Sequence, residues 1–214
     1  MRRMMAVFLI LTMSAPWAGC QLAYFFTDPE KGRPVQAEYN KIGNRRVAVL
    51  VWADRTTLDI DPKARRRVCD AITYELKKHL PDAVLIPSRD VQEFQEDSGL
   101  DWESMRAPEL CKQLKCDMVL KVDLLEYTTR AAATKELRRG RVRGTVNLYE
   151  CGEGAMTEAV YETEIVANFP TDRQSSINDL SDGELMREAV AQFGQATAKK
   201  FYDHEESLRG PERR

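Results

Sequence analysis

The sequence Arg-Arg-Val-Ala-Val-Leu-Val-Trp, residues 45–52, decides the fold class of this chain. Its last six residues are all apolar, with no alternation of apolar and polar positions. A run of this kind is typical of a strand whose sheet is covered on both faces. Residues 45–52 therefore predict an interior strand of an α/β domain.

A helix is predicted directly after this strand. Asp61 is expected to be its N-cap and Pro62 its first helical residue. Apolar side chains then recur at helical spacing, which predicts one buried face. The residues expected on that face are Ala64, Val68, Ala71, Ile72 and Leu76.

Strand and helix patterns continue to alternate further along the chain. A short strand is expected at residues 83–86, closed by Pro87, and a short helix from Pro108 leads into a long strand over residues 118–127. Residues 142–169 alternate as a hairpin, and residues 182–202 form a last amphipathic helix.

The expected fold class is thus α/β, with an α+β-like arrangement. We expect a single compact domain with a mixed sheet of about five strands, helices packed on it and a C-terminal helix.

The amino terminus has the pattern of an export signal. Arg2 and Arg3 precede an apolar run that is too short to span a bilayer, and small residues precede Cys20. This pattern resembles a bacterial lipoprotein signal, although Trp17 stands where that family usually has Leu. The resemblance implies that Cys20 is acylated and becomes the first residue of a lipid-tethered protein. An uncleaved anchor and an ordinary signal peptide are the alternatives.

These patterns divide the 214 residues into four parts. We expect a signal peptide at residues 1–19, a tether at 20–44, the α/β domain at 45–202 and a disordered tail at 203–214. The tether also contains aromatic residues, which could instead pack on the domain.

Charge excludes one class of function. The chain has 32 Lys and Arg against 34 Asp and Glu, and removal of Arg2 and Arg3 with the signal makes the mature protein more acidic. A nucleic-acid binder would be basic, so no nucleic-acid partner is expected. No second apolar stretch reaches the roughly 18 residues of a membrane helix, so the lipid would be the anchor.

Four cysteines remain in the domain, namely Cys69, Cys111, Cys116 and Cys151. In an oxidising compartment they allow two disulfides in three connectivities, or buried free thiols. Cys111 and Cys116 are the pair closest in sequence and are the disulfide candidates. Their spacing is not that of a zinc or redox motif, so no metal and no cofactor is expected.

The order of elements resembles a known group of envelope proteins. Residues 114–117 read Leu-Lys-Cys-Asp before the long strand, where that group commonly has Leu-Gly-Ala-Asp. The chain from residue 45 to residue 202 resembles the domain shared by CsgG-type secretion lipoproteins, the TolB amino-terminal domain and LpoB-type lipoproteins. CsgG channels insert long amphipathic hairpins in this sheet, whereas the segment after Tyr127 is short and lacks lipid-facing alternation, so no pore is expected.

The segment between the long strand and the hairpin is rich in arginine. Its basic residues could contact anionic headgroups, a phosphorylated polymer or an acidic partner, or could pair with Glu162 and Glu164 across the sheet. The interaction candidates are Arg130, Lys135, Arg138, Arg139, Arg141 and Arg143.

Catalytic motifs give little support to an enzyme. No Gly-x-Ser-x-Gly elbow is present, and no phosphate-binding glycine loop. Asp54, Asp59 and Asp61 follow the first strand, where ligands often bind in α/β sheets. An acid/base hydrolase that uses these carboxylates is the alternative function.

The leading hypothesis is a non-enzymatic envelope lipoprotein that docks onto an envelope protein complex and assists secretion, assembly or wall maintenance. A ring-forming structural subunit, and hence a homo-oligomer, is a third possibility. Gln21 follows Cys20 in place of the Asp of a familiar inner-membrane retention signal, which favours the outer membrane.

Overall fold

The computed structural model describes residues 32–130, 138–152, 158–171 and 180–206. The strands are β1 (Arg33–Val35), β2 (Arg46–Trp52), β3 (Val84–Leu85), β4 (Met118–Arg130), β5 (Arg138–Glu150), β6 (Tyr161–Phe169) and β7 (His204–Glu206). The helices are α1 (Arg55–Ile60), α2 (Ala64–His79), α3 (Ser88–Asp97), α4 (Asp101–Ser104), α5 (Ala107–Leu114) and α6 (Asp182–Ala198), followed by a 3-10 turn at Lys199–Phe201.

The predicted interior strand is confirmed. Five consecutive residues of β2, from Val47 to Val51, are each at most 1% exposed. Such burial on both faces requires cover from two layers of helix, which explains the unbroken apolar run.

The main sheet has five strands in the order β3-β2-β4-β5-β6. β3 and β4 flank β2 and are both parallel to it. β5 and β6 then add antiparallel strands by successive hairpins. The mixed five-stranded α/β sheet expected from the sequence is therefore confirmed.

Helices cover the two faces of this sheet unequally. The larger core lies between α2, α6 and one face of β2, β4, β5 and β6. The smaller core lies between α3, α4, α5 and the opposite face of β2 and β4, where Trp102 is 1% exposed. No described helix covers this second face of β5 and β6, and charged residues such as Glu162 and Glu164 alternate along it.

The first two helices differ from the sequence-based expectation. α2 begins at Ala64 with Lys63 as its N-cap, whereas Asp61 is the C-cap of α1, a helix that the sequence pattern missed. The Asp61 carboxylate accepts from the side chains of Tyr127 and Arg67 and from the Lys63 backbone N–H, so it is not the N-cap of α2. α6 is capped by Ser181, whose side chain and that of Glu184 form a capping box.

The larger of two compact units comprises residues 36–204, so it begins before the boundary expected at residue 45. Ile42 is fully buried and Tyr39 packs against Phe201 with ring centroids 6.5 Å apart. The last part of the expected tether is therefore integral to this unit. β1 and β7 pair in a separate two-stranded sheet, and β7 includes the first residues of the expected disordered tail.

Helices α2 and α6 approach closely at Gly194. A Cβ built on Gly194 would lie 2.8 Å from the backbone carbonyl of Ala71, a distance that real Cβ atoms do not adopt. The absence of a side chain therefore sets the spacing of these two helices and of the core beneath them.

Replacement of Gly194 tests this contact. Gly194→Ala should lower the free energy of unfolding by about 1–3 kcal/mol, the usual cost of overpacking. Helix propensity alone predicts the opposite sign, a gain of about 1 kcal/mol. Urea denaturation measures the difference, and Gly43→Ala, where nothing lies within 4 Å of the added Cβ, is the control. A stabilised Gly194→Ala variant would refute the close contact.

Candidate functional site

β4 and β5 extend past the carboxyl end of β2 and form an arm, with β6 paired along β5 from Gly140 to Gly144. β2 ends at Trp52, which pairs with Asp123, so β4 continues for seven residues beyond its parallel neighbour. We define the arm as residues 124–130 of β4 with residues 138–144 of β5. The arm starts at the carboxyl end of β2, where α/β sheets commonly bind ligands.

The arm lies directly on the amino-terminal part of α6. A Cβ on Gly140 would be 2.3 Å from the carbonyl oxygen of Leu185, so only glycine allows this approach. Arg138 donates from both Nε and Nη2 to one carboxylate oxygen of Asp182, at 3.1 and 2.7 Å. These hydrogen bonds are the largest cause that lowers the pKa of Asp182, and the charge of Arg130 adds to the effect. Backbone packing and charge together fix the arm on the helix.

A second contact joins the arm to the loop after β2. The Tyr127 hydroxyl donates to Asp61 Oδ2 at 2.7 Å, and Arg67 Nη1 donates to the same oxygen at 2.8 Å. The other carboxylate oxygen of Asp61 accepts from the Lys63 backbone N–H at 3.0 Å. Burial is the largest cause that raises the pKa of Tyr127, and the hydrogen bond to Asp61 is the second. The hydroxyl therefore stays protonated and acts as a donor.

These contacts enclose a cleft of about 570 Å³. Its walls come from the end of α1, the start of α2, the arm and the start of α6. Ile60 stands at its rim and is 73% exposed. The lining side chains and backbone belong to Ile60, Asp61, Arg67, Tyr127, Thr128, Thr129, Arg130, Asp182, Gly183 and Met186.

The structure gives most of the predicted arginine candidates an intramolecular contact. Arg138 pairs with Asp182 at 2.7 Å and Arg139 Nη2 donates to the backbone oxygen of Thr171 at 3.2 Å. Both residues belong to β5, whereas the sequence had placed them in a loop.

The next two arginines contact neighbouring strands. Arg141 donates to Glu126 at 2.7 Å and to Asn168 at 3.2 Å, and Arg143 lies 3.8 Å from Glu164. Of the two expected cross-sheet partners, Glu164 is thus used and Glu162 is not, because Glu162 pairs in register with Asn147.

Arg130 differs from the arginines of β5. It is exposed, lines the cleft and makes no ion pair within the described residues. Lys135 lies outside the described residues.

The acidic residues after β2 are structural. Asp54 is the N-cap of α1 and accepts from Thr57 N–H at 2.8 Å. The side-chain and backbone hydrogen bonds of Thr57 lower the pKa of Asp54, whereas a general acid would need a raised one. Asp59 is exposed, and Asp61 holds Tyr127 and Arg67.

The cysteines pair differently from the sequence-based candidate. Cys111 of α5 forms its disulfide with Cys151, with the Cα atoms 6.2 Å apart, and not with Cys116. The antiparallel return of β5 brings Cys151 to the start of β4, where its N–H donates to the Asp117 carbonyl at 2.8 Å. Cys116 is a buried free thiol, and burial raises its pKa to about 11. Cys20 lies outside the described residues.

Sequence reasoning missed the cleft, although part of its signal was present. Residues 138–142 continue the alternation of inward-facing and outward-facing positions seen in the rest of β5, so the sequence could have predicted the longer strand. The partnership of Tyr127 with Asp61 and Arg67 had no sequence signal, because the pairing depends on how far β4 extends past β2. Within the described residues, no group of three or more His, Cys, Asp or Glu side chains could hold a metal ion.

No helix in the described part of the chain is long and apolar enough to cross a membrane. No family model matches the sequence, and no curated protein matches it either. The resemblance to CsgG-type, TolB and LpoB-type proteins therefore stays a prediction.

Solved structures with a similar fold include bacterial lipoproteins. The PelC dodecamer from Paraburkholderia phytofirmans has 12% identity and a TM-score of 0.43, over 77% of this chain and 96% of that chain. Lipoprotein GNA1162 from Neisseria meningitidis has 15% identity and a TM-score of 0.41, over 71% and 97%. A minor lipoprotein from Acinetobacter baumannii has 15% identity and a TM-score of 0.32, over 74% and 90%.

The hydrogen bond from Tyr127 should stabilise the arm. Tyr127→Phe removes the donor to a carboxylate and should lower the free energy of unfolding by about 1–2 kcal/mol. Urea denaturation measures the loss, and Tyr74→Phe, at a side chain that is 67% exposed, should have almost no effect. If Tyr127→Phe and Asp61→Asn gave fully additive losses, the two side chains would not be coupled.

The disulfide pairing can be tested by reduction. The bond joins residues 40 positions apart, so reduction should cost about 2–4 kcal/mol of stability. Cys151→Ser should abolish the sensitivity of the unfolding midpoint to reductant, whereas Cys116→Ser should retain it. If Cys116→Ser abolished the sensitivity to reductant and Cys151→Ser retained it, the disulfide would instead join Cys111 to Cys116.

Proposed function

We propose that this chain is a non-enzymatic lipoprotein of the bacterial cell envelope that docks onto an envelope protein complex through the arm and its cleft. The observation that carries the proposal is the separation of two ends of the larger unit. The chain enters at one end of the sheet, and the cleft lies at the other.

The entry of the chain is tightly held. Glu38 accepts from the Tyr161 hydroxyl and from Lys200 Nζ, both at 2.6 Å. The Tyr39 hydroxyl donates to Glu150. The backbone N–H groups of Glu38 and Tyr39 both donate to the Lys200 carbonyl. Glu150 ends β5 and Tyr161 begins β6, so these contacts lie at the end of the sheet where β4 begins.

The arm lies at the opposite end. β4 runs from Met118, paired with Glu150 near the chain entry, to Arg130, paired with Arg138 in the arm. Thirteen residues of strand span roughly 40 Å at about 3.3 Å per residue.

The point of attachment favours a partner away from the anchoring membrane. If Cys20 is acylated, the lipid is joined to the larger unit through the chain entry at Glu38 and Tyr39. The tip of the arm, at Arg130, lies about the length of β4 from that entry. The arm is therefore better placed to meet a partner away from the anchoring membrane than to return to the same membrane.

The enzyme alternative has less support. Asp54 is engaged as a helix cap and Asp61 as a hydrogen-bond acceptor for Tyr127 and Arg67. The lowered pKa of Asp54 makes it a poor general acid at neutral pH. No described feature favours a ring-forming subunit over a docking module.

Site-specific photocross-linking in intact cells tests the proposal. A photoreactive residue in place of Ile60, at the cleft rim, should give a discrete adduct that is absent from the Cys20→Ala form. The matched control is Leu100, which is 75% exposed against 73% for Ile60 and follows α3 on the opposite face of the sheet. Mass spectrometry of the amino-terminal peptide reports acylation of Cys20.

Two results would overturn the proposal. An unmodified Cys20 in the mature protein would remove the lipid anchor. Equal adducts from positions 60 and 100 would remove the cleft as a docking site.

A further inference from the structure

We infer that the cleft binds an acidic segment of the partner protein that carries an apolar side chain beside its carboxylates. This inference rests on the proposed docking function and specifies the chemistry of the partner. The hydrogen-bond donors, the acceptors and the apolar surface of the cleft support it.

The carboxylates of the cleft are already occupied. Asp61 accepts three hydrogen bonds, from Tyr127, Arg67 and the backbone of Lys63. Asp182 accepts two from Arg138. Neither carboxylate therefore needs a cation from a ligand, although both contribute negative charge to the cleft.

The cations retain donor capacity. A guanidinium has five N–H groups. Arg130 uses none of them in a hydrogen bond or ion pair within the described residues, because its described contact is the backbone hydrogen bond to Thr128. Asp182, the nearest carboxylate that senses its charge, is already bonded to Arg138. Among the described residues Arg130 is thus a cation without an ion-pair partner at the cleft, and its natural complement is an oxyanion.

The rim adds an apolar element. Ile60 is the most exposed large aliphatic residue around the cleft, at 73%, and Met186 also lines it. An exposed isoleucine and an arginine that line the same cleft favour a ligand that offers both an aliphatic side chain and a carboxylate. A peptide with alternating Glu and Leu has this composition, whereas inorganic phosphate has the charge alone.

Lipid headgroups are the less suitable source of the oxyanion. The tip of the arm, at Arg130, is about the length of β4 from the end of the sheet where the chain enters the larger unit. A protein segment can meet the cleft there without a change in the orientation of the tethered domain.

Fluorescence anisotropy with a defined probe tests this inference. The probe is a labelled peptide of sequence Glu-Glu-Leu-Glu-Glu-Leu, and the protein is the full mature chain in detergent. Arg130→Gln should weaken binding about five-fold, the scale of one exposed ion pair. Ile60→Ser should weaken it by a similar factor, without a change in salt dependence.

Matched controls remove the same groups elsewhere. Arg89→Gln removes an exposed arginine of α3 that pairs with Glu93, and Leu100→Ser removes an equally exposed aliphatic side chain. Both should leave the affinity unchanged. Because all four positions are exposed, the variants should keep the unfolding midpoint of the native protein.

Several outcomes would overturn the inference. They are undetectable peptide binding at low salt, equal weakening by Arg130→Gln and Arg89→Gln, and displacement of the peptide by equimolar inorganic phosphate. Tighter binding to vesicles of phosphatidylglycerol and phosphatidylethanolamine, lost in Arg130→Gln, would assign the cleft to lipid instead.

The docking function itself has a separate readout. If the adduct from position 60 formed normally in Arg130→Gln cells, the acidic-segment inference would fail while the docking function remained. If no adduct formed in the native protein, the docking function would fail first.

Discussion

The parallel pairing of β2 with β4 determines the arrangement of the whole larger unit. Six residue pairs align Val47–Trp52 with Met118–Asp123, and β2 is buried on both faces from Val47 to Val51. Burial on both faces requires helices above and below the sheet. The connections that return the chain from β2 to β3 and from β3 to β4 supply those helices on opposite faces.

The difference in length between these two strands creates the arm. β2 stops at Trp52, while β4 continues to Arg130 with β5 beside it. Beyond the last β6 pair, Gly140 with Phe169, the tip of the arm is a two-stranded ribbon, which is marginal in water and needs a packing surface. α6 provides that surface, and the lack of a side chain at Gly140 lets the strand touch the helix backbone. The cleft is therefore a consequence of strand length and of one glycine, more than of any catalytic motif.

Much of the fold was predictable because burial leaves a periodic trace in the sequence. The unbroken apolar run of β2 and the helical spacing of Ala64, Val68, Ile72 and Leu76 were both confirmed by burial. Helix starts were less predictable. Asp61 and Pro62 have the chemistry of an N-cap and a first helical residue, yet the tertiary contacts of Asp61 with Tyr127 and Arg67 use its carboxylate elsewhere.

The candidate site was predictable only in part, for a different physical reason. Sequence shows that arginines are concentrated, but cross-strand geometry decides which of them remain available. Arg141 and Arg143 lie on the open face of the sheet next to Glu126 and Glu164. Strand register therefore neutralises these two charges within the fold.

Arg130 is placed differently, because it is the last residue of β4 and pairs with Arg138 at the end of the arm, after a register shift that follows Thr128. The concentration of arginine in the sequence thus overstates the number of cations that a partner can reach. Among the described residues, Arg130 and the exposed Ile60 line one cleft at the end of the sheet opposite the chain entry, which is a smaller feature than a basic patch. It is also more selective, because it requires charge and apolar surface from the same ligand.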